Sequence, residues 1–216
     1  MEKSYPAPWS LSGKGYIILY KFSEEFVKKY CNVPVFLNNS FTGGFGTIMI
    51  VDYHSSNAGP YGELLFIPGR FHHRDKKLNT ITDIYVSSME SVVNGRKNWG
   101  IPKEHADFQF HLVDKHTENV HVHTGSKTIA DFTIKSGGIS FPVSTKLLPF
   151  PLVQSYDGNY YYTTFHGNGI GKIAKVSKVK INSDLFPDVS SLKPLLAIKV
   201  EPFTITFPVP IIESIK

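Results

Sequence analysis

The sequence predicts an α+β chain built mainly on antiparallel β-sheet. Short runs rich in β-branched and aromatic residues recur along it, separated by Gly, Pro, Asn and Asp. Several of these runs alternate strictly, as in Phe108, Phe110 and Leu112 against Gln109 and His111, the pattern of a strand with one face buried. Only two segments carry helical signals, so the strands must close on one another as a sandwich or a barrel. At 216 residues and 41% hydrophobic content the chain suits one domain over residues 1–216, with a core large enough to need no staples.

The expected strands, in chain order, are Tyr16–Tyr20, Gly46–Tyr53, Glu63–Ile67, Thr82–Ser87, Phe108–Val113, Val120–His123, Ile129–Ile134, Tyr160–Phe165, Ile173–Ile181 and Ile198–Phe207. Between the first two, residues Ser23–Tyr30 read as a helix. A cap-type serine is followed by Glu24 and Glu25 and, near the end, by Lys28 and Lys29, each charge matched to the helix dipole. A second short helix is expected over Ser88–Asn94, with Gly95 as its left-handed C-terminal residue. The proline-rich stretch Phe141–Pro151 is expected to be a loop or an edge, serving as a lid or a crossover. His166–Lys172 reads as a hairpin loop, since it lacks the spacing of a phosphate loop. Pro202, Pro208 and Pro210 suggest an edge strand followed by an ordered tail.

Composition narrows the function. Cys31 is the single cysteine, so no internal disulfide or cysteine-based zinc site forms, and a reducing compartment is expected. The N-terminal residues lack the apolar core of a signal peptide and no apolar run has the length of a membrane span, which together predict a cytoplasmic protein with no membrane partner. The sequon Asn38-Asn39-Ser40 is accordingly read as a polar loop. The net charge of +5 is spread without a basic block, which argues against a nucleic-acid partner. His121 and His123 share a strand face near His111, His116 and Asp114, but no helical His-Glu-x-x-His accompanies them, and no metal site is assigned. Hydrolytic nucleophiles have no support, because no Gly-x-Ser-x-Gly elbow occurs.

From Glu90 the chain reads Glu-Ser-Val-Val-Asn-Gly-Arg-Lys-Asn-Trp-Gly-Ile-Pro-Lys-Glu-His-Ala, and upstream stands Pro60-Tyr61-Gly62-Glu63. These two motifs resemble the acetoacetate decarboxylase family, in which a short helix leads into Gly-Arg and then Pro-Lys-Lys. Gly95, Arg96, Gly100, Pro102 and Lys103 carry the match. The resemblance implies an acetoacetate-decarboxylase-like β-barrel with a few short helices. It also implies a lyase that holds a small keto acid as a Schiff base on Lys103, without organic cofactor or metal, and self-association into a homo-oligomer. By the same resemblance Glu63 is a pocket carboxylate, for proton transfer or substrate orientation, against the plain alternative of an exposed strand-end acid.

The chemistry requires an unprotonated amine, whereas a free lysine near pKa ~10.4 is almost wholly charged at neutral pH. Desolvation or a neighbouring cation lowers that value, and acetoacetate decarboxylase is itself a standard instance. Tyr61, Tyr85, Trp99 and Arg96 complete the candidate substrate-binding set. Each also has a structural alternative, packing for the aromatics and carbonyl contacts within the loop for Arg96.

Three positions depart from the family. Glu104 follows Lys103 where a second lysine is expected, although on an extended backbone its side chain points to the opposite face. The second pocket acid falls in Gly46–Val51, which holds no carboxylate before Asp52, and the pocket arginine falls near Lys14. Decarboxylation and an aldolase- or dehydratase-type reaction therefore both remain open, as does a non-catalytic barrel that binds an apolar or keto-acid ligand.

Overall fold

The computed structural model describes residues 3–147 and 149–215. In chain order the elements are β1 (Trp9–Tyr20), α1 (Glu24–Tyr30), β2 (Phe41–Gly43), β3 (Gly46–Ser55), β4 (Tyr61–Ile67), β5 (Arg70–His73), β6 (Lys76–Asn79), β7 (Asp83–Val86), α2 (Met89–Trp99), β8 (Glu104–His105), β9 (Asp107–Leu112), β10 (Thr117–Thr124), β11 (Lys127–Ser144), β12 (Leu152–Tyr156), β13 (Asn159–Thr163), β14 (His166–Ile181), β15 (Leu196–Phe207) and β16 (Ile211–Ser214). The α+β class dominated by antiparallel strands stands as the sequence indicates. No helix among the described residues is long and apolar enough to cross a membrane.

Ten strands form one sheet in the order β8-β7-β4-β3-β1-β15-β14-β11-β10-β9, and six form a second in the order β16-β13-β12-β6-β5-β2. The end strands of the large sheet, β8 and β9, are consecutive in the chain. Ala106 joins them and donates its N–H to the carbonyl of Val86. The sheet therefore curls into a nearly closed barrel. At the seam Phe108 of β9 lies over Gly62 of β4, where a Cβ would come within 2.6 Å of the ring. Only glycine admits that approach without shifting the ring.

Around β4 both faces of the large sheet are covered, and β4 has no exposed residue. Tyr16, Ile18, Ile48, Ile50, Leu64 and Phe66 line the barrel interior, opposite Val120, Val122 and Phe132. Tyr53, Tyr61, Leu65, Ile67, Ile84 and Val86 face outward and pack beneath Val92 and Trp99 of α2. Period-2 alternation thus places Tyr61, Glu63 and Leu65 on the same outward face.

Three local expectations are corrected. Helix α2 does not end at Gly95 but runs to Trp99, and Gly100 with φ 65° is the left-handed terminator. Gly95 serves instead to admit a neighbouring side chain, described below. Strand β15 is not an edge: it lies between β1 and β14. Pro202 is tolerated there because the register shifts at Gly13/Gly15 on one side and Gly169/Gly171 on the other, so a bulge leaves its missing N–H unneeded. His166–Lys172 is not a loop but the start of β14. A Cβ at Gly169 would lie 2.6 Å from Val200 Cγ1, and one at Gly171 2.6 Å from Val143 Cγ2, so these glycines let neighbouring side chains fold over the strand. Phe141–Ser144, expected in a loop or at an edge, forms an edge: it extends β11 beyond its pairing with β10 and pairs with β14 alone; within the remainder of Phe141–Pro151, Leu148 lies outside the described residues. Helix α1 matches its expectation, with Ser23 Oγ accepting from the N–H of Phe26.

Candidate active site

Lys103 enters the structure just before the barrel seam. The left-handed Gly100 turns the chain off α2, and the N–H of Lys103 donates to the carbonyl of Ile101 at 2.8 Å. The lysine stem then crosses the helix over Gly95, where a Cβ would lie 2.7 Å from Lys103 Cδ. Its amine donates to Glu63 Oε2 at 2.8 Å, to Ser91 Oγ at 3.0 Å and, more weakly, to Tyr61 Oη at 3.4 Å. Ser91 and Gly95 stand four residues apart on α2 and so present one face to the lysine. Tyr53 Oη donates to the other oxygen of Glu63 at 3.2 Å, which leaves both carboxylate oxygens partnered.

This network closes one end of an apolar chamber. Trp9, Leu11, Leu65, Ile84, Trp99 and Phe207 form much of its wall, and Trp9 meets Trp99 edge to face with ring centroids 5.2 Å apart. The free volume is about 20 Å³, room for about one water molecule. Two terminal segments hold the wall in place: Trp99 Nε1 donates to the carbonyl of Pro208, and Trp9 Nε1 and Asn98 Nδ2 both donate to the carbonyl of Tyr5.

Burial disfavours the charged form of Lys103, but the carboxylate of Glu63 and the hydroxyl of Tyr61 outweigh it and raise the amine above its ordinary value. Burial likewise pushes the Tyr61 phenol up to about 12 and the Tyr53 phenol well above the usual tyrosine range. In the resting site Lys103 is thus an ammonium paired with a carboxylate, and its two neighbouring tyrosines are neutral.

Of the residues singled out in the sequence, the structure brings together Lys103, Glu63, Tyr61 and Trp99. Arg96 does not line the chamber. Its Nε donates to the backbone carbonyl of Lys103 at 2.9 Å and orders the loop. Tyr85 lies on the barrel-interior face and donates to the carbonyl of Leu185, because it alternates with the outward Ile84 and Val86. Glu104 is exposed and points away from the amine, as the extended backbone requires. Lys14 also faces the barrel interior, where it pairs with Glu118, so the position expected for a pocket arginine contributes no charge to the chamber. Ser91, Tyr53, Trp9, Leu11 and Phe207 escaped the sequence reading. Ser91 alone had a local signal, its four-residue spacing from Gly95. His121 is paired with Asp131, and no group of three or more metal-ligating side chains occurs among the described residues.

The fold and the site together define a curled, mainly antiparallel barrel that carries an amine and a carboxylate at the end of an apolar chamber on its outer face. The sequence model described as acetoacetate decarboxylase (ADC) matches residues 1–176, and the chain belongs to that family. Its fold is similar to the crystal structure of acetoacetate decarboxylase from Legionella pneumophila subsp. pneumophila str. Philadelphia 1, with a TM-score of 0.72 and 14% identity, covering 97% of this chain and 88% of that one. An acetoacetate decarboxylase-like enzyme from Sphingomonas wittichii RW1 superposes with a TM-score of 0.65 at 8% identity, over 97% and 94% of the two chains. The enduracididine biosynthesis enzyme MppR, in complex with pyruvate, superposes with a TM-score of 0.60 at 11% identity, over 98% and 91%. No curated protein matches the chain in sequence.

Proposed function

We propose that this protein is a lyase-type enzyme that joins Lys103 to a small carbonyl compound as an imine, with Glu63 as the proton acceptor. Keto acids are the first class to try, because the family is that of acetoacetate decarboxylase and MppR is described in complex with pyruvate. The observation that carries the reading is the 2.8 Å contact between Lys103 Nζ and Glu63 Oε2 at the end of an apolar chamber. We also propose one domain over residues 1–216, which the position of β15 between β1 and β14 supports.

The steps balance as follows. Glu63 takes a proton from the ammonium, and the free amine adds to the carbonyl carbon. The carbinolamine oxygen leaves as water, carrying the proton that Glu63 returns, and a positive iminium remains beside the carboxylate. When a carbon–carbon bond next to that iminium breaks, its electron pair passes to the nitrogen and gives an enamine. Protonation at carbon and addition of water then release the product and restore the amine.

A second reading is a non-catalytic barrel that binds an apolar or keto-acid ligand. It is favoured by the raised proton affinity of Lys103, which the Glu63 carboxylate holds in its charged, non-nucleophilic form. Borohydride reduction in the presence of acetoacetate or pyruvate, followed by peptide mass mapping, separates the two. A stable adduct on the peptide containing Lys103 is the expected result. No adduct across a panel of keto acids, aldehydes and ketones sinks the imine reading and leaves the binder.

A further inference from the structure

The chamber holds one positive and one negative charge, and they already neutralise each other. Lys103 and Glu63 are in contact at 2.8 Å, with their side chains only 5% and 4% exposed. Among the described residues lining the chamber there is no second cation. The two that the sequence offered are engaged elsewhere: Lys14 with Glu118 inside the barrel, and Arg96 with a backbone carbonyl. The hydroxyls add little. Tyr53 donates to Glu63, Tyr61 and Ser91 both accept from the ammonium, and Ser91 also bonds to Tyr61.

Imine formation does not alter this balance, because an ammonium and a carbonyl become an iminium and water. One cation stays opposite one carboxylate. The carboxylate of a bound keto acid would be a second anion, stripped of water with no counter-ion, which is the costly way to bury a charge. An uncharged aldehyde or ketone brings no such cost, and its substituents meet the apolar surfaces of Leu11, Leu65, Ile84, Trp99 and Phe207.

Resting on the imine reading of Lys103, we propose that the chamber selects uncharged apolar carbonyl compounds, aldehydes or ketones without a carboxylate, over keto acids of similar size. Entry requires the wall to open for either class, so the preference lies in charge and not in access. The position expected for a pocket arginine holds a lysine turned to the other face of the sheet, which leaves the chamber without a counter-ion for a bound carboxylate.

The test uses pyruvate and methyl pyruvate, which share a keto group and differ in charge. Each is titrated against the whole protein under borohydride, and the concentration giving half-labelling of Lys103 is divided by that for Nα-acetyllysine, which removes the intrinsic reactivity of the two ketones. The ester should label at a normalised concentration about tenfold or more below that of pyruvate. In Glu63→Gln the only anion is gone, pyruvate can serve as the counter-ion of the iminium, and the ratio should move about tenfold towards the acid. Pyruvate labelling as well as its ester in the unaltered protein overturns the preference and leaves the imine standing, whether or not Glu63→Gln folds. Labelling by neither compound overturns the imine reading and the preference with it.

Discussion

Two buried lysine–glutamate pairs lie on opposite faces of the same sheet, and only one of them borders a chamber. Outside the barrel, Lys103 meets Glu63, whose far oxygen accepts from Tyr53. Inside it, Lys14 reaches across from β1 to Glu118 on β10 at 2.5 Å, and Glu118 accepts a second bond from Tyr16 at 2.7 Å. The side-chain types are the same, but their surroundings are not. Lys14 is 18% exposed, has Asp52 as a second acid at 3.7 Å and stands 5.5 Å from the ring of Phe110. It ties two walls of the barrel together. Lys103 has one acid, almost no exposure and an apolar space beside its nitrogen. A lysine beside a glutamate is therefore not evidence of chemistry. An adjoining apolar space is what separates the two.

The largest difference between the pairs should appear in borohydride trapping. Lys103→Ala should lose the adduct completely, whereas Lys14→Ala should label at Lys103 as the unaltered protein does. An adduct mapped to Lys14 would break the comparison. Next comes the cost of leaving one charge alone. Glu63→Gln strands a fully buried ammonium and should lower unfolding free energy in urea by about 3–5 kcal/mol. Glu118→Gln should cost only about 1–2 kcal/mol, because Lys14 keeps Asp52 and some water. Equal losses would show that the two environments are alike after all.

A smaller effect tests the floor beneath Lys103. Gly95→Ala gains about 1 kcal/mol of helix propensity but forces a methyl against the lysine stem, at a cost of about 1–3 kcal/mol. The net change should be a modest destabilisation with weaker labelling of Lys103, read by urea unfolding and mass mapping, and the Lys14 pair should be untouched.

The smallest effect is alkaline. Burial alone lowers both lysines, yet Glu63 and Glu118 respectively raise them above 10.5. A raised lysine binds its proton more tightly in the folded state, so its stabilisation is complete below pH 10.5 and is lost as pH climbs through the folded value. Unfolding curves from pH 6 to 9 should therefore show the full stabilisation, with no pH dependence arising from either lysine. Above about 10.5 the loss of stability should be shallower in Lys14→Met and Lys103→Met than in the unaltered protein.

The sequence showed much of the site and less of the fold's wiring. Lys103 and Glu63 were legible because each lies in a short motif, Pro102-Lys103 after a helix and Tyr61-Gly62-Glu63 at a strand start. Their contact joins residues forty positions apart and required the sheet to be built. Tyr85 was misplaced because a single residue of register decides which face of β7 it occupies, and a strand buried on both faces gives no alternation to read. The helix end at Gly95 failed for a related reason: a glycine beneath a long side chain looks, in one dimension, like a glycine that stops a helix. Trp9, Leu11 and Phe207 come from strands near the two ends of the chain, and no local pattern ties them to a lysine in its middle. Pro202 inside β15 and the glycines of β14 read as breakers, because the bulges and close approaches that accommodate them belong to neighbouring strands.

The seam has one more consequence. Lys103 sits three residues before Ala106, the joint between the first and last strands of the large sheet. Glu63 arrives from β4 and Ser91 from α2, so the amine acquires its neighbours only when β4, β7 and α2 have packed together. A copy of the chain that is synthesised but not yet wrapped carries an ordinary, solvated lysine at this position. On the imine proposal, the nitrogen is an ordinary nucleophile until that packing is complete and a selective one only afterwards.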